Sequence, residues 1–184
     1  MKNNLSNKTI LITGAAGGIG EALCTSFAEA NGTIILHYNS NRDKAESLLQ
    51  KLPGMHHGSI QCDLSNADQV NTMFSAIDHV DIVINNAAVV ENHEIDSLSY
   101  QDWQDIWERT IGANLIGPAN IMYLASKFMI KNGGGKFINI SSRGAFRGEP
   151  SAPAYGASKA GLNSLGQSLA KALAKDRIFV YTIA

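Results

Sequence analysis

The strongest indication of the fold lies in residues 9–20, whose sequence is Thr-Ile-Leu-Ile-Thr-Gly-Ala-Ala-Gly-Gly-Ile-Gly. The first five residues are apolar or β-branched, as in a short strand that is buried on both faces. The glycine-rich residues follow directly, and from Ile19 onward the apolar residues recur with the period of a helix. A strand that runs through a glycine turn straight into a helix predicts a βαβ unit.

The same alternation continues to the end of the chain. Further short apolar runs predict strands at residues 33–38, 59–62, 80–85, 136–141 and 178–183. Helical patterns lie at residues 19–30, 42–51, 67–77, 103–131 and 154–175. We expect Ser65 to precede the third helix as its start signal and Asn31-Gly32 to end the first. This alternation predicts an α/β fold with a parallel sheet covered on both faces.

Composition and charge exclude several classes of protein. The chain has 184 residues, with 15 Lys and Arg against 16 Asp and Glu, so its formal net charge is −1. It therefore lacks the basic excess of a nucleic-acid-binding protein. Its apolar runs are far shorter than the ~20 residues of a membrane span. Cys24 and Cys62 show no CxxC spacing and no disulfide framework. We predict a cytoplasmic protein that binds neither nucleic acid nor membrane.

The glycine loop itself indicates a phosphate ligand. Glycines permit close approach of the backbone, and the N-terminus of the next helix supplies free N–H groups and a partial positive charge. The spacing of Gly14, Gly18 and Gly20 differs from the common GxGxxG fingerprint, and no Lys-Ser/Thr pair follows as in a P-loop. A plain tight turn is the alternative, but the position between the first strand and the first helix favours a dinucleotide site.

With its TGxxxGIG pattern, the loop resembles that of the short-chain dehydrogenase/reductase family. The family's other motifs follow in its order and spacing: Asp63-Leu64, Asn85-Asn86-Ala87, Asn114, and a Ser…Tyr-x-x-x-Lys set made of Ser142, Tyr155 and Lys159. The resemblance covers the chain from residue 9 to its end. Within the family, the chain resembles the branch of the 3-oxoacyl-carrier-protein reductases, but this likeness is loose. It implies a doubly wound, Rossmann-like parallel sheet with strand order 3-2-1-4-5-6.

The resemblance assigns catalytic roles to Asn114, Ser142, Tyr155 and Lys159. Tyr155 would exchange a proton with the substrate oxygen, and Ser142 would hydrogen-bond to that oxygen. Lys159 follows Tyr155 by one helical turn, where its ammonium would favour phenolate over a phenol of ordinary pKa ~10. Asn114 would hold a water that relays protons, although an Asn satisfied inside its helix is the alternative. A Tyr-x-x-x-Lys pair alone is usually structural, but the position of Ser142 at the end of the fifth strand favours a site.

The same resemblance implies a nicotinamide dinucleotide bound across strands 1 and 4. The expected cofactor-binding residues are Gly14, Gly17, Gly18, Ile19, Gly20, Tyr38, Asn39, Ser40, Asp63, Leu64, Asn86, Ala87, Ala88, Tyr155 and Lys159. The family's usual Asn-Asn-Ala-Gly motif ends here in Ala88, which would be strained if its φ were positive.

The end of strand 2 bears on the choice of cofactor. No Asp or Glu is present there to accept a ribose 2′-hydroxyl, and Tyr38 takes that place. Asn39, Ser40 and Arg42 are suited to a 2′-phosphate, so we expect NADP(H) to be favoured over NAD(H). Against this, Gly17 stands where NADP-dependent relatives often carry Arg or Lys.

These residues lead to an enzyme hypothesis: hydride transfer between NADP(H) or NAD(H) and a carbonyl or secondary-alcohol substrate. The alternative is a dinucleotide-binding protein or inactive truncated scaffold without turnover. A sugar-nucleotide epimerase is disfavoured because such relatives have the loop TGxxGxxG. No metal is expected, since His56-His57 has no third ligand and His37 is isolated. His93, between Asn92 and Glu94, follows strand 4 on the ligand side, where substrate contact is an alternative to a structural role.

Two expectations concern the whole chain. Residues 1–184 are expected to form a single dinucleotide-binding and catalytic domain. Members of the family continue beyond a sixth strand with a substrate lid, a helix and a seventh strand, so we expect this domain to be C-terminally incomplete. The family also implies a homodimer or homotetramer through the helices that carry Asn114 and Tyr155. Small residues on the second helix suit close packing: Ala157, Ala160, Gly161 and Ala170.

Overall fold

The computed structural model describes residues 4–184 and shows a parallel sheet of six strands in the order β3-β2-β1-β4-β5-β6. The strands are β1 (Thr9–Ile12), β2 (Thr33–Tyr38), β3 (Gly58–Gln61), β4 (Ile82–Asn85), β5 (Gly135–Ile140) and β6 (Ile178–Ile183). The fold class and the strand order expected from the sequence are confirmed. β2 and β6 have the predicted bounds, and the other strands differ from them by one or two residues.

Helices connect the strands and cover the sheet. They are α1 (Gly18–Glu29), α2 (Arg42–Lys51), α3 (Ala67–Ser75), α4 (Tyr100–Ile111), α5 (Gly117–Lys131), α6 (Gly144–Arg147) and α7 (Pro153–Leu173), with a 3-10 turn at Ala174–Asp176. None of the helices in residues 4–184 combines the length and the apolar character that crossing a bilayer would need.

The single helix predicted over residues 103–131 is wrong in two respects. It begins earlier, at Tyr100, because the Ser99 side chain accepts a hydrogen bond from the Asp102 N–H and caps the first turn. It is also interrupted, since the π-helical segment Gly112–Ile116 separates α4 from α5. The short helix α6 was not predicted.

Side chains of β1 alternate between two hydrophobic cores. Leu11 faces the core formed with α3 and α5, whereas Ile10 and Ile12 face the core formed with α1 and α2. All three are fully buried, as a central strand with helices on both faces requires. The sheet is therefore held from both sides at the strand that leads into the glycine loop.

Two helix boundaries show how local chemistry sets the chain direction. The first helix ends in a Schellman motif, in which the Gly32 N–H donates to the Phe27 oxygen and Asn31 takes the left-handed conformation with φ 68°. The third helix is capped by Asn66, whose side chain accepts from the N–H groups of Asp68 and Gln69. The expectation of a start signal at Ser65 was wrong by one residue, because the Ser65 hydroxyl instead donates to Asp63.

The strand order reverses direction between β1 and β4. The connections that leave these two neighbouring strands run to opposite sides of the sheet, which opens a crevice at their carboxyl ends. The glycine loop follows β1 at this crevice, and the Asn-Asn-Ala motif follows β4.

Candidate active site

A cavity of about 500 Å³ occupies the crevice at the carboxyl ends of β1, β2 and β4. Its volume lies in the range of cofactor and small-molecule sites. Every predicted cofactor-binding residue outside α7 lines it. The lining also includes residues that the sequence did not point to, which are Ala16, His37, Asn41, Val89 and Ala113.

The glycine loop forms the floor of this cavity. Gly14 has φ 62°, and a Cβ there would lie 2.8 Å from the Ala87 Cα, so this position requires glycine. Gly18 differs, because a Cβ built on it meets nothing within 4 Å. The first turn of α1 begins at Gly18 without a side-chain cap. Open space beside an uncapped helix N-terminus is the geometry that binds phosphate groups.

Hydrogen bonds tie the ends of β1 and β4 together. Thr13 Oγ1 accepts from the N–H groups of Asn86 and Ala87, each at 3.0 Å. The Asn86 side chain donates to the oxygens of Thr13 at 2.9 Å and Gly14 at 3.2 Å. The next residue, Ala88, does not have a positive φ. The conditional strain considered for Ala88 is therefore absent.

His37 is a cavity-lining residue that the sequence left as an isolated histidine. Its Nδ1 accepts from the Gly14 N–H at 3.1 Å, and its Nε2 donates to the Cys62 oxygen at 2.9 Å. Burial lowers the pKa of His37 from 6.5 to about 4. The neutral ring thus joins the glycine loop to the ends of β2 and β3. A sequence signal for this role was absent, because the partners lie 23 and 25 residues away.

The far end of the cavity lies where β2 runs into α2. Tyr38, Asn39 and Ser40 line it, while the Asn41 side chain caps α2 by accepting from the Lys44 N–H. Arg42, which the sequence suggested for a 2′-phosphate, instead pairs with Glu46 at 2.6 Å. The guanidinium remains exposed beside the cavity.

Lys159 lies beneath Tyr155 on α7. Its Nζ donates to the Ile140 oxygen at the end of β5 at 2.8 Å and lies 5.7 Å from the centroid of the Tyr155 ring. The residue is only 2% exposed, and this burial lowers the pKa of Lys159 from 10.5 to about 8. Within residues 4–184 the Tyr155 hydroxyl has no hydrogen-bond partner, so it is available to a ligand.

Ser141 and Ser142 follow β5 and have different partners. The Ser141 hydroxyl donates to the Asn163 side chain on α7 at 2.6 Å. Ser142 Oγ accepts from the Gly144 N–H at 3.1 Å, and its proton has no acceptor among the described residues. Ser142 is therefore the one of the two that can still donate to a ligand.

Asn114 occupies the π-helical segment and is fully buried. Its side chain clamps the backbone of Val89, accepting from the N–H at 2.7 Å and donating to the oxygen at 2.8 Å. It also donates to Ser158 Oγ at 3.2 Å, and that hydroxyl donates to the Tyr155 oxygen at 2.7 Å. The π-helical turn thereby connects the chain after β4 to the helix that carries Tyr155, as such turns often do at functional sites.

No metal-binding cluster of three or more His, Cys, Asp or Glu side chains occurs within residues 4–184.

Comparison with known proteins shows the family and the fold of the chain. The model of the short chain dehydrogenase family matches residues 8–184. The 3-oxoacyl-(acyl-carrier-protein) reductase FabG of Staphylococcus epidermidis is 30% identical over 97% of this chain and 74% of its own length. An uncharacterized oxidoreductase of Thermotoga maritima is 33% identical over 98% of this chain and 71% of its own length. The landomycin C-6 ketoreductase LanV, solved with bound NADP and rabelomycin, has a TM-score of 0.88 at 26% identity, covering 99% of this chain and 77% of LanV.

Proposed function

The chain belongs to the short-chain dehydrogenase family, and we propose that Tyr155 is the general acid and base of a carbonyl reductase or secondary-alcohol dehydrogenase. As a member of this family it is an NAD(P)-dependent oxidoreductase that acts on CH–OH or carbonyl groups. The observation that carries the proposal is the buried Lys159 ammonium, 5.7 Å from the centroid of the Tyr155 ring, whose hydroxyl has no described partner.

The residues present fit a dinucleotide. Gly18, Ile19 and Gly20 at the uncapped start of α1 would hold the pyrophosphate. Asp63 and Leu64 line the wall of the cavity, and Asn86, Ala87 and Ala88 line the side next to β4. Tyr155 and Lys159 would contact the nicotinamide end, with Lys159 on the ribose hydroxyls. When bound, the nicotinamide supplies or accepts the hydride.

The protein's own part in the reaction is to position the substrate oxygen and move its proton. In reduction, the Tyr155 hydroxyl donates its proton to the substrate carbonyl oxygen, and in oxidation the phenolate accepts it. Lys159 favours the phenolate, because a positive charge nearby stabilises the anion. Ser142 donates a hydrogen bond to the same oxygen as negative charge develops on it. Asn114 would hold a water through which protons pass between Lys159 and solvent, and an oxygen of Asn114 would accept from that water because Val89 and Ser158 take both side-chain N–H donors.

Substitution of Tyr155 tests this mechanism. We expect Tyr155→Phe to reduce carbonyl-dependent NADPH oxidation by at least a hundredfold and to leave NADPH binding within a few-fold of wild type. A suitable panel contains a 3-oxoacyl thioester, a 3-oxo ester, an aromatic ketone and an aldehyde. The names of two relatives, a 3-oxoacyl reductase and a ketoreductase, favour the ketone substrates over the aldehyde. Activity that survives Tyr155→Phe would refute the role of Tyr155.

We also propose that NADP(H) is preferred over NAD(H). The support is the absence of an acidic side chain at the end of β2, the polar Asn39 and Ser40 in the cavity lining, and the N-terminus of α2 beside them. LanV was solved with NADP. Arg42 supports the proposal less than the sequence implied, because Glu46 already pairs with it.

Two titrations decide the cofactor preference. Fluorescence titration should show NADPH binding at least tenfold tighter than NADH. Ser40→Asp should weaken NADPH binding and leave NADH binding unchanged or improved, because the new carboxylate repels a 2′-phosphate and suits a 2′-hydroxyl. Tighter binding of NADH by the wild-type protein contradicts the preference.

A turnover-free dinucleotide-binding protein is not favoured, since the relatives include reductases. For assembly, we propose a homodimer or homotetramer through α7, which carries Tyr155, and through the interrupted helix α4–α5, whose π-helical segment carries Asn114. Ala157 and Ala160 are exposed on α7 and available for such packing. Gly161 instead packs against Leu115 of the same chain, because a Cβ at position 161 would lie 2.9 Å from Leu115 Cδ2. Light scattering of the wild-type protein and of Ala160→Arg measures the assembly, and we expect the variant to be monomeric.

A further inference from the structure

The helix that carries Tyr155 begins without a cap of its own. Its N-cap residue is Ala152, which has no side-chain hydrogen bond, and Pro153 has no N–H to offer. The first free donor of α7 is therefore the N–H of Ala154, the residue before Tyr155. A donor of this kind that is buried needs a partner, since an unpaired one is costly.

That partner is His93, which lies 61 residues earlier in the segment between β4 and α4. The Ala154 N–H donates to His93 Nε2 at 3.1 Å. In return, the backbone N–H of His93 donates to the Ser151 oxygen at 2.7 Å, just before α7 begins. Two hydrogen bonds thus join His93 to the start of α7, one on each side of Pro153.

The imidazole is itself held from its other edges. Its Nδ1 donates to the Glu91 oxygen at 2.7 Å, which leaves Nε2 free to accept. The Trp103 ring packs against it at 5.3 Å between centroids, and the Glu91 carboxylate pairs with Arg109 on α4 at 2.9 Å. His93 is 1% exposed. Substrate contact was one alternative from the sequence, but both ring nitrogens of the buried His93 are engaged within the protein.

We propose that His93 is a positioning residue that caps α7 from outside the helix and so sets the position of the Tyr155 hydroxyl. The proposal rests on the function proposed for Tyr155. Imidazole suits the task because it presents a donor and an acceptor on opposite edges of one flat ring, and the ring also packs on Trp103. A small displacement of the first turn of α7 moves the phenol relative to a carbonyl oxygen, and misplacement of about 1 Å can cost a hundredfold in rate.

A matched pair of variants separates the hydrogen bond from the packing. His93→Phe keeps a flat ring against Trp103 and removes the acceptor, whereas His93→Gln keeps an acceptor near the position of Nε2. We expect His93→Phe to lower kcat by tenfold or more, with the KM and the NADPH Kd within threefold of wild type. His93→Gln should recover kcat to within threefold. Asp96→Asn, an exposed residue of the same segment, serves as the control and should match wild type.

Turnover with an acetoacetyl thioester probe is one readout, and two others need no turnover. Hydrogen exchange at the Ala154 amide should accelerate at least tenfold in His93→Phe and much less in His93→Gln. The ring signal of Tyr155 in ¹³C-tyrosine-labelled protein, assigned with Tyr155→Phe, should shift in the Phe variant only. These readouts also apply if His93→Phe is less stable, provided that its folded fraction is measured by circular dichroism.

The outcomes distinguish the two proposals. Wild-type kcat and an unmoved Tyr155 signal in His93→Phe overturn the positioning role, as does an equal loss in His93→Gln. If instead Tyr155→Phe stays active, the general acid is another group and the function proposed for Tyr155 fails. In that case the amide exchange at Ala154 and the Tyr155 signal still decide whether His93 caps α7 and sets its first turn.

Discussion

The ammonium of Lys159 is 2% exposed, and burial lowers its pKa from 10.5 to about 8. The folded protein therefore holds this proton less tightly than the unfolded chain does. Below pH 8 the charged group costs the folded state free energy in full, and the cost disappears as the pH rises from 8 towards 10.5. The burial of Lys159 thus lowers the stability of the folded protein and places a positive charge 5.7 Å from the centroid of the Tyr155 ring.

Lys159→Met tests the effect of the buried ammonium on activity and on stability. We expect the variant to lose at least a hundredfold in activity. In denaturant unfolding, the stability of wild type relative to the variant should rise by about 2 kcal/mol between pH 8 and pH 9.5. The lost bond to the Ile140 oxygen lowers the variant's stability at every pH and does not alter this trend. A difference that stays constant with pH contradicts a lowered pKa for Lys159.

His37 affects the stability of the folded protein on the acidic side of neutral pH. Because burial lowers its pKa to about 4, the unfolded chain takes up a proton between pH 6.5 and 4 while the folded protein does not, and stability falls with acid. His37→Phe removes this loss, and it also leaves the Gly14 N–H and the Cys62 oxygen without their partner.

We therefore expect His37→Phe to be about 2 kcal/mol less stable than wild type at pH 7, with the gap narrowing at pH 4.5. NADPH binding should weaken by tenfold or more, because the glycine loop loses its tie to β2. Unfolding by urea at the two pH values and a fluorescence titration provide the measurements. An equal gap at both pH values would show that His37 does not titrate as its burial predicts.

At the scale of elements, the glycine loop combines two kinds of glycine. Gly14 is required by the fold, since its φ is 62° and a Cβ would press on Ala87. Gly18 is required by nothing in the protein, since a Cβ there meets open space. Gly18 lies in the first turn of α1, and alanine favours a helix more than glycine does. The substitution Gly18→Ala is therefore not expected to destabilise this helix. We therefore expect a side chain at position 18 to interfere with the bound ligand and not with the fold.

Gly18→Ala should leave the melting temperature unchanged or slightly raised, while the NADPH Kd rises by tenfold or more. Gly58→Ala on β3 is the control, because a Cβ there also meets open space away from the cavity and should affect neither quantity. Thermal melts and NADPH titrations of the two variants are sufficient. An unchanged Kd in Gly18→Ala would exclude the start of α1 as the pyrophosphate site.

At the scale of the molecule, the sheet is covered unevenly. Alternate residues of β6 face α7, among them the buried Ile178, whereas Phe179, Tyr181 and Ile183 are each about half exposed.

The cofactor cavity lies at the opposite part of the sheet, around β1 and β2. It is formed by several elements that come together only in the folded state, so ligand binding and folding are linked.

NADPH should therefore raise the melting temperature. At about 100 times its Kd the expected gain is about 2.7 kcal/mol, or roughly 5–10 °C for a protein of this size. At the same concentration NADH should give a smaller shift. Differential scanning fluorimetry measures both, and equal shifts from the two cofactors would contradict the preference for NADP(H).

Much of this protein is determined by local sequence patterns. The apolar runs and helical periodicities, with the glycine loop between the first pair, predicted the strands to within two residues. The same patterns predicted most of the residues that line the cavity, but not Ala16, His37, Asn41, Val89 or Ala113. These features are readable because periodicity and turn chemistry act over a few residues. The interruption at Gly112–Ile116 was not predicted, although Gly112 and the pair Gly117-Pro118 stand at its two ends and are residue types that disfavour a continuous helix.

Only the tertiary structure decided how distant side chains are used. It tied His37 to the glycine loop and His93 to the start of α7, and it paired Arg42 with Glu46 beside the cavity. The partners of His37 in these bonds lie 23 and 25 residues away in the chain, and the Ala154 partner of His93 lies 61 residues away. A hydrogen bond depends on a few tenths of an ångström and on direction, and such geometry exists only once the strand order has brought those segments together.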